Sequence, residues 1–255
     1  MNMKPSATRT AWQPTIPVDQ SIYESSTTQK APLGTRLEVG ERVFYYAQAA
    51  NTYEGGDVLC SPVASASLQA DILTPIAASS GSTTVTLTLG EAVTKNQFAE
   101  GYFSVSSGTA GNENVGYLYK IKTNAAAASA GTLSIELYDP LEHAITAVAE
   151  INLTPNMYKS VIVGSQVLGQ PVGVCPCDVT SAGYFWLQTY GPAAPLHEAA
   201  TPVAAAVKLG TVGSVLQAYL GGTTAATDVT RVIGYNLNLA ATAAECNPII
   251  LTIKA

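Results

Sequence analysis

Between residues 80 and 163 apolar and polar side chains alternate with a period of two, a period that suits a half-buried strand and not a helix. In STTVTLTLG, Val85, Leu87 and Leu89 fall on one face, and Thr84, Thr86 and Thr88 on the other. In GYLYKIKTN, Tyr117, Tyr119 and Ile121 oppose Leu118, Lys120 and Lys122; in TLSIELYD, Leu133, Ile135 and Leu137 oppose Ser134, Glu136 and Tyr138. Gly90, Gly101, Gly111, Gly116 and Gly131 punctuate these runs. The pattern predicts an antiparallel β meander with one buried face and one face of Thr, Lys and Glu. The run NAAAASAG has helical propensity, but it is short and flanked by strands, so it reads as a loop.

Similar short runs continue on both sides. RLEVGERVFYYAQA (36–49) alternates Val43 and Tyr45 against Phe44 and Tyr46, and GGDVLC (55–60) reads as a turn followed by a short strand. After 163 come IVGSQVLGQPVGVCPCDV, VGSVLQAYL, RVIGYNLNLA and PIILTIKA, each broken by Gly or Pro. The fold class that follows is all-β: an extended N-terminal arm over 1–35, a β-sandwich or barrel-like body from 36–79 and 164–255, and the meander inserted at 80–163. No helix longer than about two turns is predicted.

The stretch GYFWLQTYGPAA (183–194) poses a question of its own. Tyr184, Trp186, Gln188 and Tyr190 point one way and Phe185, Leu187 and Thr189 the other, so large apolar groups stand on both faces. A second sheet or a sister subunit is expected to cover the second face, with Tyr184, Trp186, Tyr190 and Pro192 packing between subunits. Gly191-Pro192 is expected to end the strand.

Composition narrows the function classes. Charged residues make up 12% of the 255, about half the share usual in soluble domains. The net charge of −6, with no cluster of Lys or Arg, speaks against a nucleic-acid partner, because neutralising phosphates takes clustered cations. No apolar run approaches the roughly 18 residues of a spanning helix, and MNMKPSATRTAW lacks the apolar core of a secretory signal. The expectation is synthesis in a reducing cytoplasm, with no membrane partner. A sparsely charged surface suits a protein packed against other protein.

Residues 1–35 carry Pro5, Pro14, Pro17 and Pro32 and keep no alternation. Trp12, Pro14, Ile16, Val18, Ile22 and Tyr23 give this segment anchors that a purely solvating tail would not need. The preferred reading is an arm that orders on a partner. At about 3.3 Å per residue it could reach on the order of 100 Å.

Catalytic chemistry finds little support. The histidines are His143 and His197, no Gly-x-Ser-x-Gly elbow or phosphate loop occurs, and Asp139, Glu142 and Glu150 flank a turn without further partners. No enzyme activity and no cofactor are expected. In VCPC, Cys175 and Cys177 could join Cys60, Cys246 or a histidine around zinc, but a second close pair is lacking, and buried free thiols are the default. The 13 tyrosines serve core packing first, then a protein interface, then a sugar platform.

Four blocks together resemble the capsid decoration, or cement, proteins of tailed bacteriophages. They are APLGTRLEVGERVFYYAQA with GGDVLCSP; NQFAEGYFSVSSGTAGNENVGYLYKIKTN leading into GTLSIELYDPL; QPVGVCPCDVTSAGYFWLQTYGPAAPL; and the terminal NPIILTIKA. The resemblance implies a β-rich structural protein on the outer surface of the virion capsid. It would bind the major capsid protein, form a homo-oligomer (a trimer for preference), and stabilise the head by bridging shell subunits. The alternative is a head-fibre base, or a tail-associated receptor- or carbohydrate-binding β module.

Overall fold

A computed structural model describes residues 19–69, 73–107, 114–163, 169–197, 206–209, 216–218, 232–238 and 245–253. In chain order the elements are β1 (Arg36–Val39), β2 (Arg42–Gln48), β3 (Val58–Cys60), α1 (Ala66–Gln69), β4 (Thr74–Ile76), β5 (Thr84–Thr88), β6 (Tyr102–Ser107), β7 (Leu118–Asn124) and β8 (Thr132–Leu137). They continue with β9 (Glu150–Thr154), β10 (Ile162–Val163), β11 (Pro171–Val174), β12 (Tyr184–Ala193), β13 (Ala206–Leu209), β14 (Leu216–Ala218), β15 (Val232–Asn236) and β16 (Ile249–Thr252). The protein is nearly all β, as the alternation requires, and its paired strands are antiparallel among the described residues. The chain divides into two compact units, 64–156 on the one hand and 1–63 with 157–255 on the other.

The 64–156 unit is a six-stranded sheet in the order β4-β5-β8-β7-β6-β9. Strands β6, β7 and β8 follow one another as a meander; β5 adds beside β8 and β9 beside β6. The sheet curls until its ends meet, where Ile151 N donates to Leu73 O at 3.1 Å. Curling turns every inward side chain toward one core. Val85 and Leu87, Phe103 and Val105, Tyr119 and Ile121, Leu133, Ile135 and Leu137, and Ile151 and Leu153 are all buried there. The unit begins and ends earlier than the 80–163 segment marked by alternation. Leu68 and Leu73 belong to its core, whereas Tyr158 and Val161 belong to the other.

In the second unit one path of hydrogen-bonded strands runs β10-β3-β11-β12-β16-β15-β13-β14, and β1-β2 joins it at β12. Strand β12 is the branch point. Residues Tyr184–Gln188 pair with Gln48–Phe44 of β2, and Tyr190 is paired on both edges, with Val43 on one and Thr252 on the other. Beyond it Gly191, Pro192 and Ala193 pair with Leu251, Ile250 and Ile249. Gly191-Pro192 therefore does not end the strand. Gly191 adopts φ +83°, and a Cβ there would run into the Glu41 carbonyl. Pro192 falls past the last residue paired with β2, where β12 is an edge on that side and a missing N–H is tolerated.

Candidate interaction surfaces

Cross-strand register assigns the side chains of β12 to two faces. On one, Phe185 and Leu187 stand opposite Ala47 and Tyr45, and Tyr45 stacks on Tyr158 with ring centroids 5.1 Å apart and planes 2° apart. On the other, Trp186 stands opposite Tyr46 and meets it edge-on at 4.9 Å, while Tyr184 stacks on Tyr46 at 6.2 Å.

The second face is covered by the chain's own residues 19–35. Gln20 is the fastening. Its backbone O accepts from Trp186 Nε1 (3.2 Å), its Oε1 accepts from Tyr46 Oη (2.7 Å), and its Nε2 donates to Tyr184 O (2.9 Å) and Glu24 O (2.8 Å). Ser26 and Tyr184 exchange backbone hydrogen bonds of 2.8 and 2.7 Å, and Lys30 N donates to Tyr46 Oη at 3.0 Å. Ile22, Ala31 and Leu33 fill the remaining space as buried members of the same core. Burial raises the Tyr46 pKa above its ordinary value, against the opposing effect of the Lys30 N–H. The phenol therefore stays a donor to Gln20 across the physiological range.

This arrangement revises the expected arm. Trp12, Pro14, Ile16 and Val18 lie outside the described residues. Ile22 is buried in the body core, and Tyr23 is 60% exposed, its hydroxyl accepting from Arg42 Nη1 at 2.8 Å. The part of the predicted arm from residue 19 onward is thus a strap on its own body. Apolar anchors three and more residues apart fit an uncovered aromatic face as readily as a partner's surface.

The four residues expected between subunits separate into two pairs. Trp186 is fully buried and Tyr184 half-buried, both held under or beside the strap. A register shift between Gln188 and Tyr190 sets Tyr190 opposite Val43, so the simple alternation that put Tyr190 on the Trp186 face is broken there, and Tyr190 and Pro192 lie beyond the contacts made by Gln20 and Ser26. There Tyr190 stands opposite Thr252, Pro192 opposite Ile250, and Ile250 opposite Tyr235. Tyr190 is 38% and Tyr235 50% exposed, while Ile249 and Leu251 of the same strand turn inward and are buried. Tyr235 was not singled out from sequence. Its signal is the Gly234-Tyr235 pair in RVIGYNLNLA, which becomes meaningful only once β15 is known to lie beside β16.

Three of the four cysteines, Cys175, Cys177 and Cys246, lie around the turn at Gly55–Asp57, while Cys60 pairs with Ile162 and Pro171 at the other end of β3. Cys175 N donates to Asp57 O (2.8 Å), Gly56 N donates to Cys175 O (2.7 Å), and a Cβ on Gly56 would lie 2.7 Å from Cys246 Sγ. Cys175 Sγ donates to Cys177 O at 2.9 Å, and all four cysteines are free thiols. Burial pushes the Cys175 thiol far up and that of Cys177 up to about 11, each with further upward help from Asp178. Among the described residues no three His, Cys, Asp or Glu side chains converge as a metal site. His197 is buried, and burial lowers its pKa below 6.5.

No family model, no curated protein and no solved structure matches this chain.

Proposed function

We propose that this protein is a structural virion component that sits on the outer surface of a phage head shell, binds the major capsid protein and bridges neighbouring shell subunits. The observation that carries the reading is the strap. Its Gln20 hydrogen bonds fix the chain at one place on the aromatic sheet, so whatever the preceding 18 residues grip is tied to a rigid body. A clamp needs such a fixed root, because an arm attached through a loose linker transmits little restraint. Trp12, Pro14, Ile16 and Val18 supply its apolar anchors.

Ordering an arm costs roughly 1 kcal/mol or more per residue, so weak anchors hold best when several arms act together. The row of exposed Tyr190 and Tyr235 with half-buried Pro192 and Ile250 between them offers the aromatic, sparsely charged surface that subunit contacts favour. A homo-oligomer joined there, a trimer for preference, would present several arms to the shell at once.

Co-sedimentation with head shells stripped of this protein tests the proposal. The deletion to use is 1–18, which keeps every described residue of the strap and of the core. Full-length protein is expected to pellet saturably and the deletion to remain in the supernatant. Failure of the full-length chain to bind stripped shells overturns the reading.

A further inference from the structure

The 64–156 unit is acidic, with three lysines and no arginine against eight Asp and Glu; Lys120 and Lys122 stand on the outer face of β7, and Lys95 on the loop that hydrogen-bonds to Asn124 at the end of that strand. A cleft of about 570 Å³ opens there, lined by Thr84, Lys95, Asn96, Thr123, Ser134 and Glu136 among others. Asn124 shapes its wall. Its Oδ1 accepts from Phe98 N (2.8 Å) and its Nδ2 donates to Thr94 O (2.9 Å), which pins the loop that carries Lys95. Lys122 is occupied, since its Nζ donates to Glu136 at 2.7 Å, and that hydrogen bond raises the lysine pKa and lowers the carboxyl's. Lys95 has no acidic partner among the described residues.

Next to this cleft runs an aromatic row. Tyr102 of β6 stands directly opposite Lys120 of β7, whose ammonium lies 5.8 Å from the Tyr102 ring centre, and Tyr138 N donates to Lys120 O at 2.9 Å. Tyr138 is 53% and Tyr102 36% exposed. They flank β7 on either side, so their backbones stand about 10 Å apart. Tyr138 follows Glu136 by two residues on the outward side of the sheet, which puts row and cleft on the same outer face.

A pyranose ring has an apolar C–H face and a rim of hydroxyls. Exposed tyrosine rings match the first, and the Thr and Ser hydroxyls of the cleft match the second. The Lys95 ammonium, and that of Lys120 beside the Tyr102 ring, add a preference for anions. Three lysines in an otherwise acidic unit are too few for a polyphosphate backbone, and a cleft lined by Thr, Ser, Asn, Lys and Glu side chains has no large apolar residue to act as the anchor pocket of a protein interface. We infer that this face binds an acidic oligosaccharide, a chain of carboxylated sugars, with rings against Tyr102 and Tyr138 and carboxylates at Lys95 and Lys120. The inference is independent of attachment to a head shell.

The test is calorimetric titration of the full-length protein with a galacturonate hexamer at low salt. Maltohexaose serves as the neutral control and hexaglutamate as the acidic peptide control. The hexauronate is expected to bind saturably and to weaken as salt is raised. Affinity should fall roughly tenfold or more in Lys95→Gln/Lys120→Gln and in Tyr102→Ala/Tyr138→Ala, with circular dichroism unchanged. Absence of saturable hexauronate binding overturns the inference, as does binding that both double variants retain. Equal binding of maltohexaose removes the acidic specificity, and equal binding of hexaglutamate reassigns the face to acidic peptide.

Discussion

At the scale of single residues, Tyr46 concentrates the logic of the larger unit. Its ring is fully buried against Trp186 and Tyr184, and its hydroxyl donates to Gln20 Oε1 while accepting from Lys30 N. Phenylalanine would keep the packing and strand both partners without a hydrogen bond. An unmet buried polar group costs about 1–3 kcal/mol, more than the intact bond contributes. Tyr46→Phe is therefore expected to lower unfolding free energy by roughly that amount in urea titrations, with the m-value unchanged. A change below about 0.5 kcal/mol would mean that water meets these groups and that the strap is looser than its geometry.

At the scale of elements, the strap decides how β12 can carry large side chains on both faces. Among the described residues, 19–26 lie over Trp186: its indole N–H donates to Gln20 O, and Ser26 and Tyr184 exchange backbone hydrogen bonds beside it. The chain has two tryptophans, Trp12 and Trp186, so any deletion past Trp12 leaves Trp186 as the sole emitter. Removing 1–18 is expected to leave a blue-shifted emission and an unchanged midpoint of unfolding. Removing 1–26 discards Gln20 and Ile22, exposes the indole, red-shifts its emission and costs roughly 3 kcal/mol or more. Identical spectra from the two deletions would show that something else covers the face.

The same elements show which parts of the fold could be read from sequence. Val85 and Leu87, and Leu133, Ile135 and Leu137, are buried as their alternation requires, because a period of two leaves each strand one choice of inward face. The two apolar faces of GYFWLQTYGPAA were legible too. What covers them was not. The strap has no periodicity, and its fit depends on Tyr46 and Trp186, which lie 26 and 166 residues from Gln20. Partner exchange along β12 was equally hidden, since Gly191-Pro192 carries the same local signal whether a strand stops or merely changes neighbours. Of the candidate surfaces, Tyr190 and Pro192 could be named in advance. Tyr235 and the Lys95 cleft needed the strand order first.

At the scale of the whole molecule, the chain leaves one core and returns to it after building another. Helix α1 and Leu73, near the start of the 64–156 unit, both lie against β9 near its end. A unit whose ends meet can be inserted into a host fold without stretching either. Its core draws on five of its strands, and its sheet closes through the Leu73–Ile151 bridge, so the principal hydrophobic contacts come from within. Its length lies inside the range of roughly 50–200 residues in which domains fold alone. Excised as 64–156, it is expected to give dispersed amide resonances and one cooperative thermal transition. In the full-length protein Leu133→Ala, expected to cost about 2–5 kcal/mol, should then lower the transition that matches the excised unit's and leave the other in place. An excised unit that collapses without cooperative unfolding would mean that its closure relies on the host, and that the two cores stand or fall together.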